Sequence, residues 1–257
     1  MAELAIVEFQ RQWRLFRRYP SEVLGAFLVT SITFYALLAG GTYLAGPGGT
    51  VASKVDFVLV GYWIWTIVLL ALGDSALNIR VEAMTGTLEQ LALSPFGTRR
   101  IMLTRSATAV VLQLAITSLF LVSMLLFTGR SLRFPPAVVV PLFAVWLSAT
   151  GVGLVMGGLA LLFKRVDQLL NLMRFLMLFP VMMQLDSFGP VLRRVAYALP
   201  VTPGAELMRQ VTIQALPLDR TLVAVAMLNG CAYILAGAVL FHLAEVAARR
   251  RGVLNQF

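Results

Sequence analysis

Charge is what this chain has least of. Only 13% of its 257 residues are Asp, Glu, Lys or Arg, while 59% are hydrophobic, and the mean hydropathy is +0.85. A water-soluble domain carries roughly a quarter charged residues. Too few polar side chains are present to cover a globule, so lipid must solvate much of the chain. Cysteine and histidine are almost missing. Cys231 stands alone in an apolar run and His242 is the sole histidine, which excludes an intrachain disulfide and a zinc cluster. Of the two lysines, Lys54 precedes a valine and Lys164 an arginine. A phosphate-binding loop needs Gly-Lys followed by Ser or Thr, so the chain has none. His-Glu-x-x-His and Gly-x-Ser-x-Gly are absent as well. Neither a catalytic residue, a metal site nor a cofactor of its own is expected.

What the chain has is apolar runs long enough to cross a bilayer as helices, which takes roughly 20 residues each. Six spans are expected, over 23–44, 56–77, 101–127, 137–163, 166–185 and 221–244. The fold class is all-α, because a helix satisfies its own amides in lipid and the ten-residue alternation of a barrel strand is missing. No internal repeat stands out, and residues 1–257 read as a single transmembrane domain. The net charge of +9 sits at the ends of the apolar runs. There it orients helices and meets anionic lipid rather than nucleic acid. One side collects Arg11, Arg14, Arg17, Arg18, Arg80, Arg99, Arg100, Arg105, Lys164, Arg165, Arg249, Arg250 and Arg251. The other collects Lys54, Arg130, Arg133, Arg193, Arg194, Arg209 and Arg220. The first set is the larger, so both termini are expected to be cytoplasmic.

Residues 1–20 form an amphipathic segment. Ile6, Phe9, Trp13 and Phe16 share one helical face, and Arg11, Arg14 and Arg18 point away from it. This segment is either a helix lying in the headgroup plane or a charged tail that enforces topology. Residues 186–220 are cut into short pieces by Pro190, Pro200, Pro203 and Pro217. One or two short helices packed at the outer membrane surface are expected there, as a lid or as a simple loop closure.

Between the second and third spans, residues 80–97 hold a compact polar stretch, "EAMTGTLEQLALSP" from Glu82 to Pro95. Glu82 and Glu89 are seven apart and share a face on a continuous helix. Ser94-Pro95 is a stop signal, and Gly86 costs about 1 kcal/mol in a helix interior relative to alanine. Local physics leaves two uses open: a polar turn that balances Arg80, Arg99 and Arg100, or a short helix gripped by another protein. The pattern E-x-x-x-G-T-L-E-x-L-x-x-S-P, through Glu82, Gly86, Thr87, Leu88, Glu89, Leu91, Ser94 and Pro95, resembles the cytoplasmic signature of ABC-2 type permeases. These are membrane subunits of ATP-driven exporters. The resemblance implies a pair of permease chains, identical or different, with two separate ABC ATPase subunits that bind ATP and Mg. It implies that the motif is a coupling helix seated on the ATPase. The segment bearing Phe9, Arg11, Trp13, Arg14, Phe16 and Arg18 would be a connecting helix that also touches it. A bacterial plasma (inner) membrane location follows from the same resemblance.

Other polar features are sparser. Arg174 lies in the fifth span, with Asp167 and Asn171 seven and three residues before it on one face. It either snorkels and pairs locally or touches cargo along a pathway. Trp63 and Trp65 either pack against helices or stack on an apolar ligand. Gly153-x-x-x-Gly157 permits close helix packing in the fourth span. With few fixed charges in the spans, an amphiphilic drug-like or lipid cargo is expected. Two other classes fit a membrane chain: a lipid-modifying enzyme, which needs convergent acids or metal ligands, and an ion-gradient transporter, which needs ionisable groups at mid-membrane.

Overall fold

An apolar run in lipid can satisfy its amides without a neighbour only as a helix, and the apolar runs of this chain are helical. The computed structural model describes residues 14, 18, 20–44, 51–85, 98–163, 167–185 and 189–250. In chain order these form α1 (Pro20–Leu44), α2 (Val51–Thr85), α3 (Thr98–Thr128), a 3-10 turn (Pro136–Val138), α4 (Val139–Leu162), α5 (Asp167–Leu176), α6 (Leu178–Met182), α7 (Pro190–Ala198), α8 (Thr202–Thr212) and α9 (Arg220–Arg250). No strand occurs among the described residues. Among them, three helical stretches are long and apolar enough to cross a membrane by length and composition: Lys54–Leu72, Pro136–Ala160 and Arg220–Ala247. Shorter apolar stretches, Phe27–Gly40, Leu114–Thr128 and Gln168–Met182, lie within the first, third and fifth expected spans.

α2 is the axis of the bundle. Its apolar stretch is 78% buried, against 22% for that of α9, so α2 is enclosed by protein while α9 lies at the edge. α1, α3 and α4 all pack on α2. Tyr62 sits at their junction, its ring centroid 5.4 Å from that of Phe34 on α1 and 5.8 Å from that of Phe120 on α3. Where α2 begins and α3 ends, Asp56 accepts two bonds from Arg130, at 2.8 Å from Nε and 2.5 Å from Nη2. Hydrogen bonding to Asp56, reinforced by its charge, pushes the Arg130 guanidinium above its ordinary range.

α4 and α9 approach more closely than side chains allow. A Cβ on Gly151 would collide with the Tyr233 carbonyl, and one on Gly237 with the backbone of Gly151. Further along, a Cβ on Gly158 would stand 3.2 Å from the Ala244 Cβ and the Phe241 Cα. Small residues at these crossings let backbone meet backbone, which is how helices associate where no hydrophobic force separates them from lipid. Gly153 and Gly157 are buried on the same helix.

The later segments show detail that the sequence left open. The fifth expected span, 166–185, is broken into α5 and α6. The Met177 amide still reaches the Met173 carbonyl at 2.9 Å, but Pro180 has no N–H for the Leu176 carbonyl and its ring crowds that carbonyl. The helix kinks there. Residues 186–220, expected to hold one or two short helices, hold two. α7 starts at Pro190 and ends before Pro200, and α8 starts at Thr202 with Pro203 in its first turn. α8 is enclosed by protein: residues 201–209 are all buried, against α2, α4 and α9. The α7–α8 corner sits deep beside its neighbours. The Val201 amide donates to Ser148 Oγ at 3.0 Å, ten residues into α4 and so about 14 Å along it. α7, with Val191, Leu192 and Val195 exposed, and buried α8 thus make a hairpin inserted through α8.

Candidate functional site

The inserted hairpin is held by polar ties that no single segment predicts. Asn229 on α9 donates through Nδ2 to the Tyr197 and Leu199 carbonyls, both at 3.1 Å, at the end of α7. Its Oδ1 accepts from Ser148 Oγ at 3.2 Å, and the Tyr233 hydroxyl donates to the Ala198 carbonyl at 2.9 Å. Pro200 terminates α7 and leaves those carbonyls without helical amides; Asn229 and Tyr233 supply the donors. Val201 at the corner has φ 70, the left-handed region, which a β-branched residue enters only when its surroundings hold it there.

A second cluster joins the hairpin to α6. Arg209 and Glu206 on α8 are 4% and 5% exposed, so two charges lie inside the bundle. They approach to 3.7 Å. The Arg209 guanidinium also donates from Nη2 to the Val181 carbonyl and from Nη1 to the Met183 carbonyl at 3.3 Å, and it lies 4.1 Å over the Phe57 ring. Neither this pair nor Asn229 was apparent as a site from the sequence. The available signal was Glu206-Leu-Met-Arg209, a one-turn acid–base spacing whose intervening residues are apolar.

The polar face expected on the fifth span is present on α5. Arg174 is half-buried; its Nη1 donates to Asn171 Oδ1 at 3.2 Å, and its Nε is buried with no hydrogen-bond partner among the described residues. Asp167 opens α5, but its side chain lies outside the described residues. Trp65 Nε1 donates to the Arg174 carbonyl at 3.1 Å and so fixes α2 to α5. Trp65 is 7% exposed, and Trp63, 4% exposed, packs edge-on against Phe134 with centroids 5.6 Å apart. Both indoles sit in the core.

The polar motif from Glu82 to Pro95 starts on α2. Glu82 belongs to the last turn of that helix, while Gly86, Thr87, Leu88, Glu89, Leu91, Ser94 and Pro95 lie outside the described residues. Of the N-terminal segment, Arg14 and Arg18 are helical and exposed; Phe9, Arg11, Trp13 and Phe16 lie outside the described residues. An apolar groove of about 420 Å³ opens between α4 and α9 at the end away from the hairpin, lined by Val155, Leu159, Leu162, Leu240, Leu243 and Ala247. It accepts hydrocarbon and offers no chemistry. Among the described residues no group of His, Cys, Asp or Glu is placed to hold a metal ion. Arg209 ties α8 to α6, whereas the Arg174 side chain bonds within its own helix.

Comparison with known proteins gives one result. The sequence model of the ABC-2 type transporter family matches residues 4–213. No curated protein matches the chain. The matched region runs from the N-terminal segment through the polar motif to the end of the inserted hairpin and leaves out only α9 among the helices. An apolar helical bundle of which most is covered by this match belongs to the ABC-2 type transporter family, as a membrane transport component whose kind associates with an ABC ATPase.

Proposed function

We propose that the chain is the permease subunit of an ATP-driven exporter in a bacterial inner membrane. Two permease chains pair and two ATPase subunits dock beneath them. The polar stretch from Glu82 to Pro95 is the coupling element, on the cytoplasmic side with both termini. The observation that carries this reading is the position of the motif. It lies within the family match and directly follows α2, a 35-residue helix that forms the core of the bundle. At 1.5 Å per residue α2 is about 52 Å long, well beyond the roughly 30 Å of a hydrocarbon core. Its final turns therefore carry Glu82 out of the lipid, and a push on the motif is delivered along a rigid rod to the centre of the bundle. ATP binds one state of the ATPase pair better than the other and shifts the permease between inward-open and outward-open forms.

The cargo that fits is an amphiphile, drug-like or lipid. The lining of the α4–α9 groove is apolar, and the polar face of α5, with exposed Asn171 and half-buried Arg174, offers a place for a polar group of the cargo. Co-expression with a P-loop ATPase encoded beside the gene tests the docking. The wild-type chain is expected to co-purify with it and to hydrolyse ATP only in its company. Glu89→Lys reverses a charge on the docking face, and is expected to lose the ATPase on purification or to leave hydrolysis without transport. An intact, coupled Glu89→Lys complex would show that the motif is not the coupling element.

A further inference from the structure

α6 is five residues long; Met177 joins it to α5 with helical dihedrals, and the chain turns extended at its far end. Pro180 interrupts the hydrogen-bond ladder that would join it to α5, and Met183 after it is extended. A helix that short is not stable by itself, and its last carbonyls have no amides to bind. Arg209 provides the donors from another element, binding the Val181 and Met183 carbonyls. Its cation complements the negative end of the helix. Phe57 on α2 lies under the guanidinium and Glu206 stands beside it, so α2, α6 and α8 meet at one buried charge. A buried ion pair is a poor filler compared with apolar side chains of similar volume, and ionisable groups inside a membrane bundle mark function rather than packing. At the same place α6 presses on α2: a Cβ on Gly61 would stand 2.8 Å from Met182 Sδ and 3.6 Å from Arg209 Nη2.

We propose that Pro180 and Arg209 form a hinge and a clamp: α6 swings at the ladder gap that Pro180 leaves opposite the Leu176 carbonyl, and Arg209, reaching from the hairpin, holds it against α2. The arrangement makes Arg209 a positioning residue for α6. Hairpin and broken helix then move as one body while the clamp is closed, and separately once it opens. The inference rests on contacts within this chain and does not depend on the exporter reading.

A disulfide reporter tests it in native membrane vesicles without cargo or ATPase. Cys231→Ser removes the chain's single thiol, and Gly61→Cys with Met182→Cys places a pair across the α2–α6 contact. The rate of oxidative trapping, read by alkylation mass shift, reports how much of the time α6 is docked. With Arg209 in place trapping is fast. Arg209→Gln removes two charge-assisted bonds, and trapping is expected to slow about ten-fold. Because Arg209→Gln also removes the cation beside Glu206, the double variant Glu206→Gln/Arg209→Gln carries the same reporter with neither charge. Parental trapping in that double variant would overturn the clamp. Arg209→Lys keeps the charge but not the fork, and falls between; a parental rate there would refute the two-carbonyl grip. Adding Pro180→Ala restores the ladder donor, so Arg209→Gln should then cost little trapping, and an undiminished loss would refute the hinge.

Discussion

Asn229 shows how much one polar side chain decides in this bundle. It stands on α9 in a sequence that reads as an uninterrupted apolar span, and its amide closes the two carbonyls that Pro200 leaves open. Replacing it with leucine keeps a branched side chain, makes it larger and fully apolar, and strands those carbonyls together with the Ser148 hydroxyl. Hydrogen bonds between membrane helices contribute about 0.6–2 kcal/mol. Asn229→Leu is therefore expected to lower the midpoint of thermal unfolding in detergent by several degrees, with Tyr233→Phe, which removes one bond to Ala198, having the smaller effect. A midpoint unmoved by Asn229→Leu would mean that the hairpin is held by apolar packing alone. The role of Asn229 was not legible in the sequence because its partners are 30 and 32 residues away, in a segment that hydropathy assigns to the surface. Arg174, by contrast, was legible as an intramembrane cation with Asn171 on its face, since that relation is set by helical periodicity within one element.

The pairing of α4 with α9 shows the same distinction for helices. The glycines of the fourth span read as a packing face, yet the glycine on the opposing helix becomes visible only when the two are laid together. Gly237→Leu places a branched side chain where the Gly151 backbone already lies. Overpacking of this kind destabilises by about 1–3 kcal/mol or more, and α9 has little other buried surface on which to rest. The variant is expected to fail to accumulate as a monodisperse particle on size-exclusion chromatography. Gly40→Ala on α1, where a new Cβ meets nothing within 4 Å, is expected to be neutral or slightly stabilising, since alanine is the better helix former. Equal behaviour of the two variants would contradict the close α4–α9 crossing. The broken fifth span was foreshadowed by Pro180, but the length of α6 and the way its end is capped depend on Arg209.

For the whole molecule, a long central helix joins the buried core to the polar motif beyond it. If the N-terminal amphipathic segment lies in the headgroup plane and touches the ATPase, deleting residues 1–17 should reduce co-purification of that partner far more than deleting residues after Arg251. Normal assembly of the truncated chain would assign the segment to topology alone. The family match from residue 4 to residue 213 takes in that segment and the motif.

The sequence by itself determined the helical class, the membrane as solvent and the polar motif with its family. Each of these is written in local composition and short-range spacing, and lipid leaves an apolar run no other backbone structure. Tertiary structure alone decided that α8 is enclosed by its neighbours. Its Thr202, Glu206 and Arg209 read locally as a polar face for water, but Phe57, Val181 and Met183 complete the surroundings of Arg209 from distant parts of the chain. A charge is tolerated inside only when its partners converge, and no spacing along one helix can express that convergence.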